Sequence, residues 1–166
     1  MSGFFYVKKS LGQNFKEIDI YKIRTMNSHA DDLYKEIVLE GRLNSLGNPI
    51  FDPRVTKLGK FLRDYRIDEL PQLYNLVKCD IKLVGVRPLK KEFWNLYSYE
   101  FISRVLKHKP GLLAIQGAVP LTLSFDNNVN LITKYLDKYE KNPVKTDVEY
   151  FRKIIYNIVT GKLKGS

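Results

Sequence analysis

Apolar positions along this chain change between a two-residue and a 3.6-residue period, and the changes mark its elements. Residues 4–9 and 15–26 are rich in aromatic and β-branched types, which predicts two strands joined by a turn at Leu11, Gly12, Gln13 and Asn14. A β-hairpin opens the fold. Lys22 and Arg24 flank Ile23 on its second strand, so a two-residue period places both on one side, where they either reach a common anion or meet solvent. Residues 28–42 read as a helix capped by Ser28 and striped by Leu33, Ile37 and Val38; residues 44–53, with Gly47, Pro49 and Pro53, read as a loop.

A short amphipathic helix is expected over residues 55–63. Val55, Leu58, Phe61 and Leu62 lie on one side and Arg54, Lys57, Lys60 and Arg63 around the other. Such a helix most simply packs its apolar side on the core; the alternative is an anionic membrane surface. Behind Pro71, the residues Leu70, Leu73, Tyr74 and Val77 recur at helical spacing, and proline suits a first turn, so a second helix begins close to Asp68. Lys78, Cys79 and Asp80 end it. Residues 81–86 form a short apolar strand, 92–109 a helix stopped by Pro110-Gly111, and 112–119 a buried strand. Helices follow at 129–139 and 147–160, the last with Phe151, Ile154, Ile155, Ile158 and Val159 on one stripe. The expected fold is a single mixed α/β domain over residues 1–166, with few strands and several amphipathic helices.

Composition narrows the function. An apolar share of 44%, with 11 Tyr and 9 Phe, belongs to a folded chain rather than a disordered one. The excess of 28 basic over 18 acidic residues, a net charge of +10, calls for an anionic partner: nucleotide phosphates, an anionic membrane surface or nucleic acid. No nucleic-acid reader motif is present, so nucleic acid is the weakest of the three. The lone Cys79 cannot make an internal disulfide. No run approaches the roughly 18 apolar residues of a membrane span, and the start lacks a signal peptide's apolar core. Neither His29 nor His108 has a second histidine or cysteine at metal-ligand spacing.

The chemistry concentrates between residues 63 and 88. Asp68 and Glu69 stand together, with Arg63 five positions before Asp68 and Arg87 nineteen after it. Acidic residues at a helix start serve as caps, and the same helix end draws anionic ligands. Two carboxylates between two guanidiniums therefore read either as a capped, salt-bridged turn or as a phosphate-handling site.

The stretch as a whole resembles the bacterial sugar transferase family, the monotopic polyprenyl-phosphate phosphoglycosyl transferases. The resemblance is carried by Asp68-Glu69-Leu70-Pro71-Gln72-Leu73, the Lys78-Cys79-Asp80 turn and Leu83-Val84-Gly85-Val86-Arg87-Pro88. It continues in order through Phe4-Phe5, Leu11-Gly12, residues 20–26, Asp52-Pro53-Arg54-Val55-Thr56, residues 58–63, Lys109-Pro110-Gly111 and Lys141-Asn142-Pro143, about residues 4 to 160 in all. The chain departs from the family at Cys79, where glycine is usual, at Val86, where proline is usual, and at Gly117–Thr122, which replaces an Asn-Gly-Arg type segment. It also begins almost at the hairpin, without the hydrophobic re-entrant membrane helix that precedes it in the family.

The resemblance implies an enzyme. It would transfer a phosphosugar from a nucleotide diphosphate sugar, usually uridine-linked, to polyprenyl phosphate at the cytoplasmic face of the bacterial inner membrane, in capsule, O-antigen or protein glycosylation. Asp68 would be the nucleophile, forming an aspartyl phosphosugar, and Glu69 would bind Mg²⁺. Arg63 and Arg87 would hold phosphoryl oxygens, and Lys22 and Arg24 would meet the nucleotide or lipid phosphate. The other reading is a noncatalytic relative that binds nucleotide sugar or a membrane-enzyme partner. The sugar, the polyprenyl length and the oligomeric state are not legible in the sequence.

Overall fold

The computed structural model describes residues 3–27, 52–89, 96–119 and 124–162, together with positions 30, 33 and 39. Most of the helix expected over 28–42 and of the loop over 44–53 therefore lies outside the described residues, as does Trp94. The hairpin forms as expected: β1 (Phe5–Leu11) pairs antiparallel with β2 (Glu17–Ile23), from Phe5 opposite Ile23 to Leu11 opposite Glu17. Its turn is a 3₁₀ turn, Gln13–Phe15, in which Asn14 and Phe15 take left-handed backbone angles, φ 55° and 61°. The Asn14 N–H donates to the Leu106 carbonyl at 2.7 Å, which ties the turn to the body of the fold.

Ile18 and Ile20 share one face of β2 and are buried with Ile81. The two-residue period puts Lys22 on that same inward face.

The first helix, α1 (Lys57–Asp64), is capped by Thr56, whose Oγ1 accepts from the Gly59 N–H at 2.9 Å. It does not pack as its pattern predicts. Leu58 and Phe61 are 66% and 51% exposed, and the buried residue is Gly59, seated on the Thr25 backbone. A glycine permits the closest backbone approach, so α1 docks through its missing side chain and turns its large apolar residues outward. The next helix, α2 (Gln72–Val77), is reversed in the same way: Gln72 and Asn75 are buried, while Leu73, Tyr74 and Val77 are exposed. Asn75 explains this orientation. Its amide donates to the Asp19 carbonyl at 2.6 Å and accepts from the Tyr21 N–H at 3.2 Å, so it serves as a pairing partner for the free edge of β2.

Cys79 stops α2 with φ 58°. The Cys79 N–H bonds the Leu76 carbonyl and the Asp80 N–H bonds the Asn75 carbonyl, the paired pattern of a left-handed helix stop.

β3 (Lys82–Gly85) pairs parallel with β4 (Gly111–Ala114), Val84 beside Leu113, and Gly85 and Gly111 lie backbone to backbone. The strand expected over 112–119 is shorter than its apolar run, because residues 115–118 close into a 3₁₀ turn that buries Ile115 and Gly117. Of the helix expected over 92–109, residues 96–109 are described and only α3 (Tyr99–Val105) is helical: Ser98 caps its start in an extended conformation, so 96–98 do not continue a helix, and 106–109 leave it. The last two helices begin earlier than their apolar stripes suggest. Ser124 caps α4 (Phe125–Tyr139), and Asn142 with Pro143 in the first turn starts α5 (Pro143–Val159).

The main core gathers Val84, Val86, Ile115, Ile132, Leu136 and Ile154 from β3, the 3₁₀ turn, α4 and α5. A polar network fixes β3 from below. Lys82 Nζ sits 2.8 Å from Asp147 Oδ2 and 2.9 Å from the Tyr135 hydroxyl, over the Tyr139 ring at 3.6 Å, and the Tyr135 hydroxyl donates to Asp147 Oδ1 at 2.8 Å. Burial, then the hydrogen bond with Asp147, pushes the Tyr135 hydroxyl well above its ordinary pKa. β3 is thereby held at both its core side and its polar side, and the segment it delivers is Arg87-Pro88.

Candidate active site

The acid pair does not lie inside α2, as its sequence suggests. It occupies a separate 3₁₀ turn, Ile67–Glu69, entered through Arg66 at φ 56° and followed by Leu70 and Pro71 before α2 begins. The turn has a simple cause. Arg66 ends α1 in the left-handed conformation, with its N–H bonded to the Arg63 carbonyl at 3.0 Å, and the chain must reverse before Pro71 can start another helix. Asp68 points inward and is 7% exposed.

β2 brings the first cation. Lys22 Nζ donates to Glu69 Oε1 at 2.8 Å and lies 3.6 Å from Asp68 Oδ2, so one ammonium spans both carboxylates. Arg66 approaches Glu69 Oε2 at 3.5 Å, and Arg87 approaches Oε1 at 3.8 Å. Burial alone would raise the Glu69 carboxyl, but Lys22, Arg87 and Arg66 together outweigh it and hold the group below its ordinary value of 4.5.

Arg63 is held apart from Glu69. Its Nε–H donates to Thr25 Oγ1 at 3.0 Å, and burial lowers its pKa against the attraction of Asp68 and Asp52. Asp52 is itself gripped at both oxygens by Arg54, each bond 2.7 Å long. Lys8 closes the other wall by donating to the Pro88 carbonyl at 2.8 Å. The result is a shallow cleft lined by Lys22, Glu69, Gln72, Arg87 and Pro88.

Arg63, Asp68, Glu69, Arg87 and Lys22 are thus brought together. Arg24 is not. β2 ends at Ile23, and beyond it the Arg24 Nε–H donates to the Gly3 carbonyl at 2.9 Å while its guanidinium lies 5.9 Å over the Tyr6 ring. The face is shared as expected, since Tyr6 pairs with Lys22 and lies beneath Arg24, but the Arg24 guanidinium is engaged by Gly3 and Tyr6 instead of reaching the acid pair.

A family model described as bacterial sugar transferase matches residues 1–161. The chain belongs to the bacterial sugar transferase family. It is 34% identical over 138 residues to the galactosyl transferase CpsE of Streptococcus agalactiae, covering 81% of this chain and 30% of that protein. It is 31% identical over 147 residues to the undecaprenyl-phosphate galactose phosphotransferase of Salmonella typhimurium, covering 82% and 29%. A putative undecaprenyl-phosphate N-acetylgalactosaminyl 1-phosphate transferase of Bacillus subtilis is 34% identical over 95 residues, covering 57% and 48%. The chain therefore spans less than half the length of these three relatives.

As a bacterial sugar transferase, the chain departs from the family at points that can now be placed. Cys79 adopts the left-handed angle for which glycine is suited. Val86 is buried in the main core immediately before Arg87, so an apolar anchor stands where the family has proline. Gly117 sits in the 3₁₀ turn and accepts from Asn157 of α5 at 3.0 Å, a structural contact in the segment that replaces Asn-Gly-Arg.

Sequence reasoning missed three contributors. Arg66 stands three residues before Glu69, a spacing that signals a local ion pair. Thr25 and Lys8, which fix Arg63 and the Arg87-Pro88 segment, carry no sequence signal because their partners lie 38 and 80 residues away. Chemically, the arrangement sets two carboxylates among four cations, a surplus of two positive charges. That surplus suits a dianionic or more highly charged phosphate ligand.

Proposed function

We propose that this protein is a phosphoglycosyl transferase that moves a sugar 1-phosphate from a nucleotide diphosphate sugar, most simply a uridine one, to polyprenyl phosphate. The observation that carries the reading is Asp68: an inward carboxylate within 3.6 Å of the Lys22 ammonium, next to Glu69 and flanked by arginines, in a chain of this family. The names of the Salmonella and Bacillus relatives supply the acceptor, undecaprenyl phosphate.

In the first half-reaction an Asp68 oxygen attacks the sugar-bearing phosphorus. The bond from that phosphorus to the bridging oxygen breaks, and nucleoside monophosphate leaves with the electron pair. An aspartyl phosphosugar remains. In the second, a phosphate oxygen of the lipid attacks the same phosphorus, and the Asp68 carboxylate departs. Lys22, Arg63 and Arg87 offset the repulsion between anionic reactants, the arginines through a planar fork suited to phosphoryl oxygens.

Glu69 and Asp68 fit a Mg²⁺ ion in donor type. Both are hard oxygen ligands, Glu69 stays deprotonated, and magnesium needs only one or two carboxylates when substrate phosphates and water complete its shell. Among the described residues no cluster of three or more His, Cys, Asp or Glu offers a fuller cage. When bound, the ion would neutralise phosphate charge.

A lipid acceptor requires a lipid-facing surface, and we assign it to the reversed helices on either side of the acid pair. Leu58, Phe61, Leu73, Tyr74 and Val77 are exposed there. No helix among the described residues is long and apolar enough to cross a membrane. We place this surface against the anionic cytoplasmic leaflet of the inner membrane, where it would shorten the path of the lipid phosphate to Asp68.

The test is intact mass after incubation with Mg²⁺ and a panel of uridine diphosphate sugars. A phosphosugar adduct on the native chain, absent in Asp68→Asn, is expected, with release of nucleoside monophosphate. Turnover of donor and lipid by the Asp68→Asn protein would overturn the nucleophile, and donor binding without any adduct or nucleotide release would favour a noncatalytic binding protein.

A further inference from the structure

The geometry points to Arg66 as a second guanidinium for the donor diphosphate, working beside Arg87. The inference deepens the reading above and rests on it for the ligand being a diphosphate. Four cations surround the acid pair, and two of them are already fastened by hydrogen bonds: Lys22 to Glu69 and Arg63 to Thr25. Arg66 and Arg87 are not. Among the described residues their guanidiniums make ion pairs only, at 3.5 and 3.8 Å from Glu69, and no hydrogen bond. A guanidinium has five N–H donors, so both forks retain nearly all their capacity for phosphoryl oxygens.

The two are also placed on opposite oxygens of one carboxylate. Arg66 faces Oε2 from the turn before the acid pair, and Arg87 faces Oε1 from the end of β3. A diphosphate presents two phosphoryl groups, one for each fork. Arg66 can hold its place because the side chain is only 28% exposed and leaves a backbone fixed on both sides: its N–H bonds the Arg63 carbonyl, and its carbonyl accepts from the Glu69 N–H at 3.2 Å.

The same backbone makes the test selective. At φ 56°, asparagine and glycine fit the position better than most residues, so Arg66→Asn and Arg66→Gly remove the guanidinium without straining the turn. Binding of inorganic pyrophosphate to the full chain is measured by calorimetry, with thermal melting of each variant alongside. Both variants are expected to bind pyrophosphate about ten-fold more weakly, because a charge-assisted hydrogen-bonding group has been lost, with melting temperature maintained. Arg66→Lys, which keeps the charge but not the fork, falls between. Unchanged affinity in the asparagine and glycine variants would overturn the assignment, as would a native chain that fails to bind pyrophosphate. The two readings fail separately: adduct formation with Arg66-independent pyrophosphate binding removes only Arg66, whereas Arg66-dependent binding with no adduct on any donor removes only the transferase.

Discussion

Gly59 rests its α-carbon on the Thr25 backbone so closely that a Cβ on the glycine would overlap the Thr25 carbonyl oxygen. The contact matters beyond packing, because the Thr25 hydroxyl accepts from Arg63 one turn further along the same helix. Two backbones at contact distance set the depth of α1, and that depth sets where Arg63 meets Asp68. Gly59→Ala should therefore cost about 1–3 kcal/mol, the usual penalty for overpacking, and should weaken nucleotide-sugar binding by displacing Arg63. Thr25→Ser keeps the hydroxyl and should leave binding nearly intact. Thermal melting and donor affinity, measured on both variants, check the pair; full binding in Gly59→Ala would show that the seat does not position Arg63.

Glu69 gives the site a defined pH dependence. Its folded pKa lies below the ordinary 4.5, because Lys22, Arg87 and Arg66 outweigh burial. A depressed carboxylate stabilises the folded state fully above its unfolded pKa and loses that contribution as pH falls through the folded value. Lys22→Met removes the nearest cation. The Glu69 pKa should then rise toward its ordinary value, and the stability that the native chain loses to Glu69 on acidification should shrink, because that loss spans only the gap between the unfolded and folded pKa. Carboxyl-carbon NMR of Glu69 with melting curves between about pH 6 and 3 reads both effects. An unshifted Glu69 titration in Lys22→Met would show that the arginines alone hold it.

The hairpin, the two terminal helices and the gathering of Asp68, Glu69, Arg63 and Arg87 were legible in the sequence, for different reasons. Hairpin and helices follow from period and caps, which are local. The acid pair was legible through an ordered set of motifs, since its bare spacing fits a cap as well as a site. What period could not show was which side of α1 and α2 faces inward. There, Gly59 against Thr25 and Asn75 against the β2 edge decide orientation, and both are single long-range contacts that outweigh an apolar stripe. Arg24 failed for a related reason: it shares the face of Lys22, but its guanidinium is taken by the Gly3 carbonyl and the Tyr6 ring across the hairpin, partners that the period does not reveal.

Cys79 offers a prediction in the stabilising direction. Its left-handed angle, φ 58°, costs a residue with a Cβ roughly 1 kcal/mol that glycine avoids, although glycine gives back part of this through the freedom of its unfolded chain. The side chain is exposed, so nothing packed is lost on substitution. Cys79→Gly should raise the melting temperature slightly, and Cys79→Val, branched at Cβ, should lower it. Donor affinity should follow neither change. If glycine lowers the melting temperature, the thiol contributes more than the helix stop costs.

The reversed faces of α1 and α2 yield the prediction that bears most on how a lipid substrate reaches Asp68. Leu58 and Phe61 are mostly exposed, and Val77, at 82%, is almost free of the fold. Charge at an exposed position costs a folded protein little, whereas charge on a lipid-contacting residue opposes burial in the headgroup region. Leu58→Glu combined with Phe61→Glu should therefore keep the melting temperature and the formation of any aspartyl adduct from soluble donor. The same protein should bind vesicles containing anionic lipid at least about ten-fold more weakly and transfer phosphosugar to polyprenyl phosphate correspondingly slowly. Sedimentation with vesicles and the two half-reactions, assayed apart, separate the cases. Vesicle binding equal to that of the native chain would move the lipid-facing surface elsewhere, and loss of the first half-reaction as well would mean that these residues shape the site itself.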